Sequence, residues 1–193
     1  RIAKKKKIAF YTQSKVTKIE ETGDEVRVSL TNAKGEELSL TGSHVLISIG
    51  RKPETENIGI NALGIKSTYG FIDINEKLQT NIPNIFAIGD IIRTPMLAHV
   101  ASHEGVQAIQ EIMKLDKKID AVHSVNYGHI PYVIYTSPEI AHIGMTEAEA
   151  KKTGLELKIS KHLFAAIGKA VIDDESDGFV KIITEKATGK ILG

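Results

Sequence analysis

Residues 85–99 read IFAIGDIIRTPMLAH, and the reading of this stretch decides the fold. Four apolar residues, Ile85 to Ile88, stop on Gly89-Asp90, and a turn containing Pro95 leads into a segment with helical periodicity. An almost wholly apolar strand suits a sheet covered on both faces. In an open α/β sheet, ligands bind outside the carboxyl ends of the strands, where loops feed helix N-termini. A carboxylate there can accept a hydrogen bond from a sugar-like hydroxyl, and the amides of the next helix can donate to an electron-rich group. Asp90 either serves a nucleotide-type ligand in this way or only caps its own turn, because loops at strand ends often carry Asp.

Downstream, the spacing predicts a helix from Met96 to about Leu115, with Leu97, Val100, Ala101, Ala108, Ile109, Ile112 and Met113 as its apolar stripe. The charged run KLDKKID (114–120) marks a surface connection, and YVIYTSPEIAHIG (132–144) reads as two strands interrupted at Pro138. Thr146 and Glu149 have capping-box spacing for a short helix that stops at Gly154. LELKISKHLF (155–164) and GFVKIIT (178–184) read as antiparallel strands with the acidic turn DDESDG between them.

Upstream, EVRVSL (25–30) alternates strictly, with Val26, Val28 and Leu30 on one face. With KVTKIE before it and ELSLT after it, residues 15–41 form a small β-meander closed by turns at Gly23 and Gly35. HVLISIG (44–50) is nearly continuous in apolar, β-branched residues, which predicts a second strand covered on both faces. Residues 51–84 read as loops and short strands. The chain therefore has three textures: a meander, a part with buried strands and a helix, and an α+β tail.

Composition narrows the function. With 25 Lys and Arg against 24 Asp and Glu, nothing marks a nucleic-acid groove or an acidic partner. There is no Cys, so the chain supplies no disulfide, thiolate nucleophile or Cys-based zinc site. No apolar run approaches bilayer length, and RIAKKKKIAF lacks the apolar core of a signal peptide. The start on Arg1 and the stop at KILG (190–193) read as a segment of a longer protein.

Other candidate sites fall away on spacing. His99 and His103 share a helix face beside Glu104, but a His-Glu-x-x-His zinc motif starting at His103 needs a second His where Gln107 stands. DDESDG resembles the start of a calcium loop, yet the twelfth position is Thr184 in place of a bidentate Glu. Lys4–Lys7 reads as a solvated face or a strand edge, with no aromatic or Arg partners. Neither Gly-x-Gly-x-x-Gly nor a Walker loop is present.

Three blocks carry a family resemblance: VLISIGRKPET (45–55), IPNIFAIGDIIRTPMLAHVASHEG (82–105) and PYVIYTSPEIAHIGMTEAEAKKTG (131–154). In order and spacing they resemble the dihydrolipoamide dehydrogenases, flavoproteins of the pyridine nucleotide–disulfide oxidoreductase family. The Gly-Asp strand and the IGRKP turn belong to the wider flavoprotein group, whereas TPMLAH and VIYTSPEIA point to the lipoamide enzymes. The implied fold is α/β (mixed α+β). Residues 1–50 would end an NAD-binding domain, 51–122 would form the second half of a Rossmann-like FAD-binding domain, and 123–193 would begin an α+β dimerisation domain.

The resemblance also implies roles. Asp90 accepts a hydrogen bond from the ribityl chain of FAD, while Met96, Leu97, Ala98 and His99 form the helix N-terminus beneath the flavin. His99 acts there through position and main chain. Val16 and Gly50 match positions where the main chain borders bound NAD. The activity implied is reoxidation of protein-bound dihydrolipoamide, with electrons passing through FAD to NAD⁺. The implied partners are a second copy of the protein and the lipoyl domain of a 2-oxoacid dehydrogenase complex, with no nucleic acid or membrane, and bacterial cytoplasm is expected rather than mitochondrial matrix.

Departures from the family are equally plain. The FAD fingerprint, the Cys-x-x-x-x-Cys disulfide and the His-Pro segment that supplies the catalytic base are all missing from this sequence. No catalytic residue is therefore assigned here, and the segment alone is expected to be inactive and to bind FAD weakly if at all. The alternatives are a sister flavoprotein such as mercuric reductase and a non-catalytic FAD-binding or dimerising module.

Overall fold

The computed structural model describes residues 6–193, so Lys4 and Lys5 of the basic run lie outside the described residues. Lys6 and Lys7 are exposed. The chain divides into two compact units, one ending at Arg51 and the other running from Lys52 to Gly193.

The first unit holds the predicted meander. β1 (Lys15–Thr22), β2 (Glu25–Thr31) and β3 (Glu37–Gly42) form an antiparallel sheet in sequence order. Val28 of central β2 lies opposite Ile19 on one side and Leu40 on the other, so the alternating apolar residues share a face. Leu30 is its buried centre. The β2–β3 turn is built by Asn32, whose side-chain oxygen accepts from the amides of Lys34 and Glu36 at 2.9 and 3.0 Å. That local bond lets the chain reverse without help from packing.

The expectation of a buried strand at 44–50 is corrected. No described strand pairs with this segment, and Leu46 and Ile49 are 91% and 96% exposed. An apolar run becomes a doubly covered strand only when neighbouring strands take its amides and carbonyls and helices cover its faces.

In the second unit, Ile60, Ile65, Ile72, Leu78, Ala87, Ile92 and Ala108 form the core. β4 (Ser67–Thr68) and β5 (Phe71–Ile72) make a minimal hairpin against it. The stretch 85–88 threads the core as predicted, but it is not a regular strand. Its ladder shrinks to a single antiparallel bridge between Gln79 and Phe86, and Ile72 and Ile92 make a parallel one just beyond it. Ala87 N donates to Leu78 O at 3.0 Å and Thr80 N to Ile85 O at 2.9 Å. Apolar character fixes the burial of these residues; strand regularity needs a partner of matching length.

A 3₁₀ turn at Gly89–Ile91 then leads to α1 (Ala98–Leu115). The helix starts two residues later than its periodicity predicts. Its buried face also differs from the apolar stripe, for Glu104, Gln107 and Glu111 are buried beside Val100 and Ala108, whereas Ile109 and Ile112 are exposed.

The tail follows the sequence closely. β6 (Tyr132–Ile134) and β7 (Ile140–His142) form a hairpin around Pro138. The capping box at Thr146 and Glu149 opens α2 (Glu147–Lys152). Glu147 sits 2.7 Å from Lys151 and 3.0 Å from Lys181, and hydrogen bonds to Lys151 and then Lys181 hold its carboxyl below the usual range. β8 (Leu157–Leu163) and β9 (Phe179–Glu185) pair antiparallel through all seven residues of each. Between them lies α3 (Gly168–Ile172), a helix the sequence reading does not anticipate, and DDESDG follows it. Among the described residues, no helix is long and apolar enough to cross a membrane.

Ile92 is fully buried at the bridge to β5, and its truncation leaves a cavity that small neighbours cannot fill. Ile92→Ala is expected to cost about 2–5 kcal/mol of stability, checked by chemical denaturation.

Candidate functional site

The site is the junction between the core stretch 85–88 and the N-terminus of α1. Gly89 has φ +74°, and a Cβ on it would lie 3.3 Å from the Ala101 side chain. Both the positive φ and the close approach to the helix favour glycine at this place. Asp90 follows within the 3₁₀ turn, half-buried.

Two anchors hold this turn. On one side, Arg93 donates to Thr68 O at 3.2 Å and lies over the rings of Tyr69 and Phe71, 5.4 and 5.6 Å from their centroids. Such stacking orders the guanidinium at a modest gain for each ring. On the other side, Glu104 is fully buried in α1. One carboxylate oxygen accepts from the Gly89 amide at 2.7 Å and the other from the Tyr127 hydroxyl at 2.8 Å. Burial, followed by the hydrogen bond to Glu104 and the charge of Glu104, pushes the Tyr127 hydroxyl far above its ordinary value of 10.0.

Glu104 is the first of three contacts from α1 to one extended segment. Gln107 accepts from Val125 N at 2.8 Å and donates to Glu76 O at 3.0 Å, and Gln110 accepts from His123 N at 2.8 Å. The row is three residues apart along the helix and runs antiparallel to 123–127, one of the side-chain ridges a helix presents. At the N-terminal end, His99 Nε2 lies 3.0 Å from Pro131 O, which makes that nitrogen the protonated one.

The helix N-terminus itself is open. Leu97 at the N-cap makes no side-chain capping bond, and the first turn contains no acidic residue. Just before it, the Thr94 hydroxyl is buried without a hydrogen-bond partner. Uncapped amides, an orphan hydroxyl and a carboxylate within the segment 90–100 suit a ligand that offers both acceptors and hydroxyl donors. A flavin with its ribityl chain has that chemistry.

The structure gathers Asp90, Met96, Leu97, Ala98 and His99 on this one loop and helix start. Val16 and Gly50 lie in the other unit. Val16 pairs with Leu30 beside a bulge in β1, and Gly50 has φ +133° in exposed chain.

A family model described as pyridine nucleotide-disulphide oxidoreductase matches residues 1–105, and the dimerisation-domain model of the same name matches residues 130–193. The chain belongs to the pyridine nucleotide-disulphide oxidoreductase family. As a member of that family it is 41% identical over 194 residues to a dihydrolipoyl dehydrogenase of Bacillus subtilis, covering all of this chain and 40% of the relative. It is 40% identical over 196 residues to the mitochondrial dihydrolipoyl dehydrogenase of Bos taurus, covering all of this chain and 37% of the relative. The chain thus spans about 40% of the length of the curated relatives it matches. Among solved structures, LpdA of Mycobacterium tuberculosis superposes with a TM-score of 0.85 at 22% identity over 99% of this chain and 40% of that one. The chain therefore shares the fold of that structure over this length.

Sequence reasoning missed Glu104 and Tyr127 as parts of the site. A signal existed, since Glu104 stands four residues from both Val100 and Ala108, midway between two core positions on one helix face. A carboxylate at that spacing has to meet buried donors.

Two outcomes are expected. Gly89→Ala forces a left-handed alanine against Ala101 and costs about 1–3 kcal/mol, read by denaturant titration. Between pH 10 and the raised value of Tyr127, the folded chain keeps a proton that the unfolded chain has shed. Stability therefore falls as pH rises through that window. Tyr127→Phe flattens this alkaline decline, measured as the difference between the two proteins in unfolding free energy against pH.

Proposed function

We propose that this chain is part of a dihydrolipoyl dehydrogenase, an enzyme that reoxidises protein-bound dihydrolipoamide with NAD⁺ through FAD. The observation that carries the reading is the open start of α1 beside Gly89-Asp90, with its uncapped amides and the orphan Thr94 hydroxyl. Identities of 35–42% to enzymes of that name support it.

In this reading the FAD, when bound, supplies the redox chemistry between dithiol and nicotinamide. The chain's own residues bind and orient it. Asp90 would accept from a ribityl hydroxyl and so hold the FAD against the Gly89–Asp90 turn. The helix start formed by Met96, Leu97, Ala98 and His99 would hold the electron-rich end of the flavin, because a helix N-terminus favours negative charge. The Leu97 amide already donates to Pro95 O at 2.8 Å, which leaves those of Ala98 and His99 for this role. His99, tied to Pro131, keeps the helix start in place through its ring. Val16 and Gly50 border the NAD with main-chain atoms. The chain has no cysteine, so it brings no residue of the redox disulfide, and no proton-transfer step is assigned to it.

The proposed domain parts are residues 1–50 for NAD binding, 51–122 for FAD binding and 123–193 for dimerisation. A homodimer and the lipoyl domain of a 2-oxoacid dehydrogenase complex are the proposed partners. Bacterial cytoplasm is the proposed compartment, although relatives of both bacterial and mitochondrial name occur. TPMLAH (94–99) favours this reading over a mercuric reductase.

The protein expressed from its full reading frame is expected to be yellow and to reduce NAD⁺ with dihydrolipoamide; colourless protein without that activity overturns the reading. Asp90→Ala is expected to weaken FAD binding about 10- to 100-fold, the worth of one hydrogen bond to a charged group. Flavin fluorescence on release measures it.

A further inference from the structure

Glu104 poses an energetic problem that the proposed cofactor site does not by itself answer. It is fully buried, and its two oxygens meet a backbone amide and a neutral hydroxyl. Removing a carboxylate from water is expensive, and replacing such a group by a well-packed apolar residue is often neutral or stabilising. The compensation lies in geometry. The Gly89 amide sits one residue before Asp90, in a backbone conformation that only glycine adopts easily. Glu104 fixes that amide to the third residue of the second turn of α1, at 2.7 Å. The same helix supplies the open N-terminus six residues earlier. One side chain therefore sets the distance between the two halves of the proposed flavin site, the Asp90 carboxylate and the amides of Ala98 and His99.

Tyr127 extends the link. Its hydroxyl at 2.8 Å occupies the second oxygen of Glu104 and limits rotation of the carboxylate. Tyr127 in turn belongs to a 3₁₀ turn, Tyr127–His129, whose start is held by Asn126 accepting from the Gly128 amide at 3.0 Å. The turn lies immediately before the part of the chain matched by the dimerisation-domain model at 130–193. A path of three hydrogen-bonded groups, the Tyr127 hydroxyl, the Glu104 carboxylate and the Gly89 amide, thus ends one residue before Asp90, which would hold the ribityl group.

We propose that Glu104 is a positioning residue for the flavin site, holding the Gly89–Asp90 turn at a set distance from the N-terminus of α1, with Tyr127 holding Glu104 in turn. The proposal rests on the FAD-site reading given above. Neither residue touches the reacting atoms, and each acts through Asp90.

The experiment compares FAD dissociation constants, at a temperature well below unfolding, for the protein expressed from its full reading frame and four variants. Glu104→Ala strands the Gly89 amide and is expected to weaken FAD binding about 10- to 100-fold. Tyr127→Phe leaves the partly exposed ring in place and removes only the hydroxyl, with about a three- to tenfold loss expected. Glu104→Gln is expected to stay within about twofold, because its carboxamide oxygen can accept from Gly89 while its nitrogen donates to the Tyr127 oxygen. Ala108→Gly destabilises the same helix from a buried position without any polar group, and is expected to lower thermal stability with FAD affinity unchanged.

Equal FAD affinity in the parent and in Tyr127→Phe overturns the inference while leaving the flavin reading intact. So does an Ala108→Gly protein that loses affinity in step with its stability as far as Glu104→Ala does. If Glu104→Ala does not fold, Tyr127→Phe and Glu104→Gln decide the matter. A parent protein that takes up no flavin overturns the functional reading, and this inference falls with it.

Discussion

The carboxylate of Glu104, shut away from water and shared between the Gly89 amide and the Tyr127 hydroxyl, is the interaction on which the arrangement of the second unit depends. Without it the half-buried Gly89 amide at the start of the Asp90 turn loses its acceptor, and an orphan of that kind costs about 1–3 kcal/mol when fully buried. The constraint is directional as well as energetic. An apolar contact at the same place would bury the helix equally well but would leave the turn free to slide along it. Hydrogen bonds at 2.7 and 2.8 Å do not allow that freedom.

The same logic repeats along α1. Gln107 and Gln110 take the amides of Val125 and His123, so a segment without secondary structure of its own lies in register against the helix. From Glu104 to Gln110 the helix rises about 9 Å. The four steps along the chain from Tyr127 back to His123 span up to about 13 Å when extended. The segment follows the row of helix residues three apart, Glu104, Gln107 and Gln110. Side-chain amides suit this role because they both donate and accept: Gln107 serves Val125 and Glu76 at once. The helix thus acts as a ruler with a buried polar edge, and its open N-terminus is where that ruler meets the proposed flavin.

Exposed apolar surface marks the other side of this design. Ile109 and Ile112 of α1, and Leu46 and Ile49 in the first unit, are accessible although their sequence context reads as interior. Regular parallel strands are cooperative objects, since each needs ladders on its two edges and cover on its two faces. Where those neighbours are missing among the described residues, the apolar residues remain and the strand does not. The stretch 85–88 shows the intermediate case, kept in the core by packing and reduced to an isolated bridge.

What the sequence by itself determined is everything that local chemistry settles. The meander at 15–42 follows from alternation and from the Asn32 and Gly35 turn, α2 from its capping box, and the β8–β9 pair from two apolar strands of matching length. Gly89-Asp90 also stood out as the end of an apolar run before a helix, although an Asp at that place serves a turn cap as readily as a ligand. Only the tertiary structure decided which face of α1 is buried, since Glu104, Gln107 and Glu111 look like solvent residues, and the amides, carbonyl and hydroxyl that meet Glu104 and Gln107 come from places as distant in sequence as Glu76 and Tyr127. It also decided that 44–50 and 85–88 do not become full strands. Burial and pairing are properties of neighbours, and a sequence read in one dimension records a residue's preferences without recording who meets them.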